Sequence, residues 1–487
     1  LRSRGLGDVY KRQVNECYQI KERMQKISTL SDNCRQKDRT ESESYAGVQT
    51  FIGITENHLV EAQFTKDALL ERIVSPANMN RAYKQVVANG GCGGVDKMET
   101  EDLLPYLKLH KDELINSLLD GSYRPNPVRR VEIPKDGGKK RQLGIPTVID
   151  RLIQQSISQV LSPLYERQFS DNSFGFRPKR SAHQALRRAQ SHINSGHKYC
   201  VDLDLEKFFD TVNHSKLIEI LSRTVKDGRV ISLVHKYLLS GAMVDGHYES
   251  RVQGTVQGGP LSPLLSNVML HELDTELESR GHKFVRYADD CMIFCKSKRS
   301  ALRVKKSISA FIEKDLFLKV NQDKTSVGYV RGMKFLGYSF YVKNGECRLS
   351  VHPKSYLKLK VRLKELTGRS NGMGYEQRKS KLHLFIRSWI EYFQLADMQS
   401  YLKRIDEWLR RRIRMCIWKY WKKVKTRFAN LQKCGISKFY AWQHANTRLG
   451  YWCIAGSRIL TSAMDNDKLK LVGYPTLMEY YSKLHRK

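Results

Sequence analysis

The chain has 487 residues, roughly three domains' worth at about 150 residues each, and its 85 Lys and Arg against 50 Asp and Glu leave a formal charge of +35. With 40% apolar and 10% aromatic residues it can bury real cores, so the positive charge belongs to a folded surface and not to a disordered polybasic tail; collagen, mucin and repeat scaffolds are excluded. No stretch reaches the ~18 uninterrupted apolar residues of a membrane span and no charged-then-apolar leader opens the chain, so it reads as soluble and cytoplasmic, with no membrane partner.

In chain order, Ser3 to Gln13 (SRGLGDVYKRQ) resembles the in-frame translation of a sequencing-library adapter, and residues 1–13 are set aside as an assembly scar. Residues 14–62 are polar and without periodicity, a flexible leader. From Lys66 the run KDALLERIVSPANMNRAYKQVVANGG predicts amphipathic helix, broken at Pro76 and closed by glycines. Between 95 and 350, strand-like runs (VRRVEIP, KYCVDLDL, KFVRYADDCMIFC) alternate with helical ones (IDRLIQQSISQVLSPLY, KLIEILSRTV), which predicts a mixed α/β region. After Pro353 the strand signals fade and three helical candidates follow, starting at KSYLKLK, RKSKLHL and YLKRIDE. Residues 355–487 carry 29 Lys and Arg against 9 Asp and Glu, interleaved with Trp and Tyr, a pattern suited to a polyanion whose bases can stack. The 10 cysteines are scattered without a CxxC pair or a Cys/His cluster, which argues against zinc and against a disulfide framework.

The sharpest chemical signal is FVRYADDCMIF (284–294), two apolar runs meeting at a pair of acids, the pattern of a hairpin with Asp289 and Asp290 at its tip. Acids at a hairpin tip are also ordinary turn chemistry, so the second acidic strand end decides the reading. In YCVDLDLEKFFD (199–210), Asp202 and Asp204 fall on one side of a strand. If that strand lies beside the hairpin, Asp204 joins Asp289 and Asp290 at one sheet edge. Three close carboxylates repel and require a counter-charge. Oxygen ligands without Cys or His select Mg²⁺, with Mn²⁺ able to substitute, and two such ions can clamp the attacking and leaving oxygens of a phosphoryl transfer.

These blocks, with RRVEIPKDGGKKRQLGIPTVIDRLIQQ, FSDNSFGFRPKRSAHQA, QGTVQGGPLSPLLSNVMLHELD, LKVNQDKTSV, MKFLGYSF and IRSWIEYF in the same order, resemble bacterial group II intron-encoded reverse transcriptases with maturase activity, over roughly 65–480. The resemblance implies an α+β right-hand polymerase. Fingers and palm, with a ferredoxin-like palm sheet, would occupy 63–353, a helical thumb and maturase domain 354–425, and a nucleic-acid-binding extension 426–487; the chain stops without the Cys/His nuclease domain of some relatives. It further implies an RNA-directed DNA polymerase that binds group II intron RNA and promotes its splicing, with an RNA template, a DNA primer, dNTPs and a DNA target as partners. A splicing cofactor with an inert polymerase fold, or a retron, diversity-generating or CRISPR-associated reverse transcriptase, are the alternatives.

Carried over by resemblance, Asp204, Asp289 and Asp290 are the metal-binding aspartates and Lys324 the general acid for the pyrophosphate leaving group. Phe209 matches the aromatic that excludes a 2′ hydroxyl, with core packing beside Phe208 as the other reading. Gln257 and Gly258 match the loop along the template base and the incoming nucleotide, with Val256 where the family usually places Pro. Lys135 and Arg141, in the KDGGKKR turn, would meet the triphosphate, and Gly332 to Tyr341 resembles the hairpin that grips the primer end. Trp389, Tyr392 and Phe393 predict a hydrophobic stripe. Arg410, Arg411, Arg412, Arg414, Lys419, Lys422 and Lys423 crowd one helical segment, a density that predicts phosphate contact, and Arg448 follows in the extension. His183, His214 and His235 read as plain surface or core residues.

Overall fold

The computed structural model describes residues 68–134 and 140–486, together with a short antiparallel ladder pairing Ile52–Thr55 with His58–Glu61. That ladder falls within the 14–62 leader; the rest of the leader, residues 1–13 and Lys135 lie outside the described residues. Two compact units interleave along the chain, one of residues up to Ser181 with Leu205–Glu276 and Phe311–Lys319, the other of Ala182–Asp204, Leu277–Ala310 and Val320–Lys487. The strands carrying the acids are therefore grouped with the helical C-terminal region.

In the first unit the predicted N-terminal helix is two, Leu69–Val74 and Pro76–Asn89, because Pro76 cannot continue the helix before it and sits instead at the first turn of the next. Gly90, at φ +60°, ends the second helix. The apolar face of that helix (Ala82, Val86) packs with Leu103, Val148 and Leu152, the last two from the long helix Val148–Glu166. A four-stranded sheet runs in the order Lys140–Ile145, Val128–Pro134, Ala242–Val244, His247–Glu249. Its first two strands form an antiparallel hairpin in which Ile133 faces Arg141, and its central pair is parallel, with Val128 opposite Ala242.

In the second unit a four-stranded antiparallel sheet has the order Ser326–Tyr329, Tyr199–Leu203, Asp290–Cys295, Lys283–Tyr287. Numbered along the chain its strands run 4-1-3-2, with helices between the first and second and between the third and fourth, the ferredoxin-like βαββαβ order. Cys200, Val201, Phe284, Val285, Met292 and Ile293 are fully buried, which is why these runs read as nearly continuous apolar segments. A three-stranded sheet of Lys334–Phe335, Tyr338–Lys343 and Glu346–Val351 follows. The Tyr375–Phe393 helix docks on it: Tyr392 Oη donates to the Leu336 carbonyl at 2.9 Å, the Tyr338 hydroxyl donates to the Tyr392 carbonyl, and a Cβ at Gly337 would meet the Phe393 ring at 3.2 Å. The expected stripe is thus split, with Phe393 buried, Trp389 half-buried, and the exposed Tyr392 fastening the helix end by hydrogen bonds. Helices Pro353–Leu366 and Gln399–Tyr420 and a run of shorter helices complete the unit. Among the described residues no helix is long and apolar enough to cross a membrane.

Candidate active site

The acidic centre is built by strand register. Asp202 pairs with Met292 and Leu203 with Cys291, so the next rung sets Asp204 beside Asp290, itself paired with Tyr287 at the mouth of the hairpin. Residues opposite one another in an antiparallel pair share a face, so Asp202, Asp204 and Asp290 line one side of the sheet. The hairpin reverses through Ala288 and Asp289, with Ala288 in the left-handed region at φ +57° and its carbonyl held by the buried Arg286 guanidinium at 3.0 Å. Asp204 is pinned by the NQDKT turn: its N–H donates to Thr325 Oγ1 at 3.2 Å and its carbonyl accepts the Asn321 N–H at 2.9 Å. The same turn delivers Lys324, whose Nζ lies 2.9 Å from Asp204 Oδ2.

Burial, and after it repulsion from acidic neighbours, acts on two of the carboxyl groups. Asp290 is pushed up to about 6 by the protein packed around it, then by Asp289 and Asp204. Asp202 is pushed up to about 6 by burial, then by Asp290 and Asp204, with Lys334 opposing the rise at both. Among the described residues no trio of His, Cys, Asp or Glu is closed into a metal-ligating arrangement. The donor set nevertheless fits a hard divalent cation: it consists of carboxylate oxygens that share a face and destabilise one another, and the cation at Asp204 is a lysine carrying a single charge.

The nucleotide-handling candidates of the first unit form a construction of their own. Arg141 Nε donates to Gln257 Oε1 at 2.9 Å, and the Gly144 N–H donates to the Gln257 carbonyl at 2.9 Å, so the Gln-Gly loop is stitched to the Lys140–Ile145 strand. Gly258 sits at φ +128°, where a Cβ would lie 2.6 Å from the Gly144 carbonyl oxygen. Only glycine fits there. Val256, in the place of the family's usual Pro, is buried against Val128 and Ala242, so side-chain packing anchors the loop. Phe208 is the core member of the Phe-Phe pair at 3% exposure, and Phe209 is half-buried, its ring at 72° to Phe208 with centroids 5.3 Å apart. The Phe209 carbonyl accepts the Thr255 N–H at 2.6 Å. His214 is buried, its Nε2 2.7 Å from the Gly254 carbonyl; His183 is half-buried, its Nε2 2.7 Å from the Tyr392 carbonyl, and His235 is exposed.

The C-terminal arginines differ in burial. Arg410 and Arg414 are buried, and all four arginines of the cluster point at backbone carbonyls: Arg410 at Tyr474, Arg411 at Trp452, Arg412 at Lys364 and Thr367, Arg414 at Met464. Arg410 and Arg414 thus turn donors into the fold, while Arg411 and Arg412 are half-buried. Lys422, Lys423 and Arg448 are exposed, and the half-buried Lys419 lies 5.1 Å from the Tyr451 ring. Sequence reasoning also passed over Asp202 and Lys334. The alternation that placed Asp202 beside Asp204 was its signal; for Lys334 the only signal was its place in the GMKFLGYSFY hairpin.

Comparison with known proteins bears on the same segments. Residues 133–340 match the family of reverse transcriptases (RNA-dependent DNA polymerases), and residues 357–435 match the group II intron maturase-specific domain. Protein YkfC of Escherichia coli K12 is 31% identical over 325 residues, covering 58% of this chain and 85% of its own. The chain belongs to the group II intron reverse transcriptase and maturase family. The group II intron-encoded protein LtrA of Lactococcus lactis subsp. cremoris is 30% identical over 351 residues, 58% of each chain. A 91 kDa protein encoded in the cob intron of Schizosaccharomyces pombe is 38% identical over 173 residues, 36% of this chain and 21% of its own. The chain thus spans little more than half the length of LtrA. Within the family frame Asp204, Asp289, Asp290, Lys324, Arg141, Phe209, Gln257 and Gly258 all fall in the reverse transcriptase match, residues 410–423 in the maturase match, and Arg448 beyond both.

Proposed function

We propose that the chain is an RNA-directed DNA polymerase that copies an RNA template from a DNA primer using dNTPs, and that it also binds its group II intron RNA, promotes its splicing and acts on a DNA target. The observation that carries this reading is the register that brings Asp204 to Asp290 at the hairpin tip, together with the elevation of Asp290 by burial and by its acidic neighbours. Asp204, Asp289 and Asp290 would hold two Mg²⁺ ions, for which Mn²⁺ can substitute; bound there, the metals lower the barrier to deprotonating a primer 3′ hydroxyl and neutralise charge on the triphosphate. The remaining work falls to side chains. Asp202, sharing the face, deepens the negative field at the sheet edge. Lys324, once released from Asp204, is a cation with a proton to hand to the departing pyrophosphate. Arg141, held by Gln257, offers donors to the triphosphate and Lys135 a second cation, Gln257 and Gly258 support the templating base, and the Phe209 ring collides with a ribose 2′ hydroxyl.

The test is Asp289→Asn. Primer extension on an RNA template should collapse while intron RNA binding persists. Undiminished metal-dependent synthesis would remove the assignment, and loss of synthesis together with RNA binding would point to misfolding.

A further inference from the structure

The helix Lys438–Ala445 of the extension is turned inside out. Its fully buried side chains are Ala441 and Ala445, whereas Phe439, Tyr440 and Trp442 are 69%, 52% and 63% exposed. At 100° per residue the three rings fan over about 160° of the side opposite the alanines, with Gln443 between Phe439 and Tyr440. A helix ordinarily turns its large apolar residues inward, and exposed rings gathered in one place mark a contact surface. The helix keeps its seat through the alanine side and lies against the preceding helix, Val424–Lys433. Phe439 and Tyr440 meet edge to face, with centroids 5.4 Å apart and planes at 75°. The Trp442 ring and the Gln443 amide have no ring or hydrogen-bond partner among the described residues. The segment that carries this face is basic throughout: from Trp408 to Met464 the chain has no Asp or Glu. Arg410 and Arg414 turn inward, but Lys422, Lys423, Lys425, Lys438 and Arg448 are exposed and form no ion pair among the described residues.

We propose that this helix face is a stacking platform for unpaired bases of single-stranded RNA, with the lysines of the same segment on the phosphates. The proposal rests on the reading of the C-terminal module as RNA-binding: Val424–Lys433 lies within the maturase-specific match, and the aromatic helix packs on it. Every base has a flat face that a ring can cover, and the splayed bases of RNA loops are the ones free to be covered. Bases inside a duplex are already stacked on each other. An apolar protein surface could also shield the rings, but it brings nothing to the five lone cations, whereas an RNA strand carries a phosphate beside each base. A helix lying in a membrane surface presents an unbroken apolar face. Gln443 interrupts this one, and its amide, which both donates and accepts, can meet the polar edge of a stacked base.

Binding by the full chain is read from the fluorescence anisotropy of a labelled single-stranded RNA, and of the same strand with abasic sites, which keeps the phosphates and lacks the bases. Trp442→Ala should weaken binding of the intact strand about tenfold and leave binding of the abasic strand and the salt slope unchanged. Its melting temperature should match the wild type, because the ring is exposed and the alanines seat the helix. Trp442→Phe, which keeps a flat ring, should recover most of the loss, and Trp442→Leu, apolar without a ring, should not. Unchanged affinity in both Trp442→Ala and Phe439→Ala overturns this inference alone, as does an equal loss on intact and abasic strands. So does a dimer in sedimentation that Trp442→Ala dissolves while RNA binding is unaffected, which would make a second copy the occupant. Failure of the wild-type chain to bind RNA overturns the inference along with the function on which it rests. Tighter, Trp442-dependent binding of the same-sequence DNA strand would overturn the assignment to RNA.

Discussion

Replacing Asp290 with Asn should stabilise the metal-free protein, the opposite of what removing a charged site residue usually does. The rise of the carboxyl from 3.8 to about 6 corresponds to about 3 kcal/mol, at about 1.4 kcal/mol per tenfold in proton affinity. Because the side chain is open to solvent, screening cuts the figure to about 1 to 1.5 kcal/mol. The folded state holds this proton more tightly than the unfolded chain does. Its stabilising contribution is therefore complete below pH 3.8, declines as pH rises, and is lost above about 6. Asparagine has no such slope. In thermal denaturation followed by circular dichroism in EDTA, Asp290→Asn should match the wild type near pH 4 and melt about 2 °C higher at pH 8. Magnesium should reverse the order, since an ion that binds the native wild type adds about 2.7 kcal/mol at a concentration of 100 Kd. A variant no more stable than wild type at pH 8, or a difference that does not change with pH, refutes the argument.

Three further outcomes separate roles. Gly258→Ala forces a Cβ to 2.6 Å from the Gly144 carbonyl oxygen and should cost about 1 to 3 kcal/mol in urea denaturation and raise the KM for dNTPs; a silent substitution would show the loop to be loosely held. Arg414→Ala strands the Met464 carbonyl and should destabilise by about 1 to 3 kcal/mol, whereas Lys422→Ala and Lys423→Ala should leave stability unchanged and reduce the log-log salt slope of RNA binding by about 0.7 to 0.9 each; the reverse pattern would restore the arginines to the RNA surface. Phe209→Val should admit ribonucleotides in primer extension, and unchanged sugar discrimination would return that ring to packing against Phe208.

What could be read in the sequence follows the range of the interactions. The 283–295 hairpin is local: two apolar runs and a two-residue reversal specify it, and the structure pairs Tyr287 with Asp290 as that pattern requires. Bringing Asp204 to Asp290 depends on register across some ninety intervening residues. Alternation marks Asp202 and Asp204 as sharing a face but does not say where the strand ends, and that end decides which acid stands at the edge and which is partly enclosed behind it. The Gln-Gly loop was legible as a motif; that Val256 holds it by burial, doing the work expected of proline, depends on Val128 and Ala242 arriving from two distant strands.

The arginine cluster divides in burial for a reason that helix geometry makes plain. At 100° per residue, Arg410, Arg411, Arg412 and Arg414 cannot all point to one side, and Arg410 and Arg414, one turn apart, share the stripe of buried residues that includes Ile413 and Ile417. Several arginines of the C-terminal region, Arg412, Arg414 and Arg427 among them, meet helix ends. Met464 caps the Arg458–Ala463 helix, Thr367 caps Pro353–Leu366, and Trp421, held by Arg427, caps Gln399–Tyr420. The last turn of every helix leaves carbonyls without amide partners and carries partial negative charge, and a guanidinium with five donors answers both. The extension is made of helices of four to ten residues, such as Tyr451–Ile454 and Val424–Lys433, and so has many such ends for its length. Part of the positive charge of the C-terminal region is therefore internal, solvated by backbone carbonyls. The surplus available to a nucleic acid is what remains on residues such as Lys422, Lys423 and Arg448, whose side chains reach solvent.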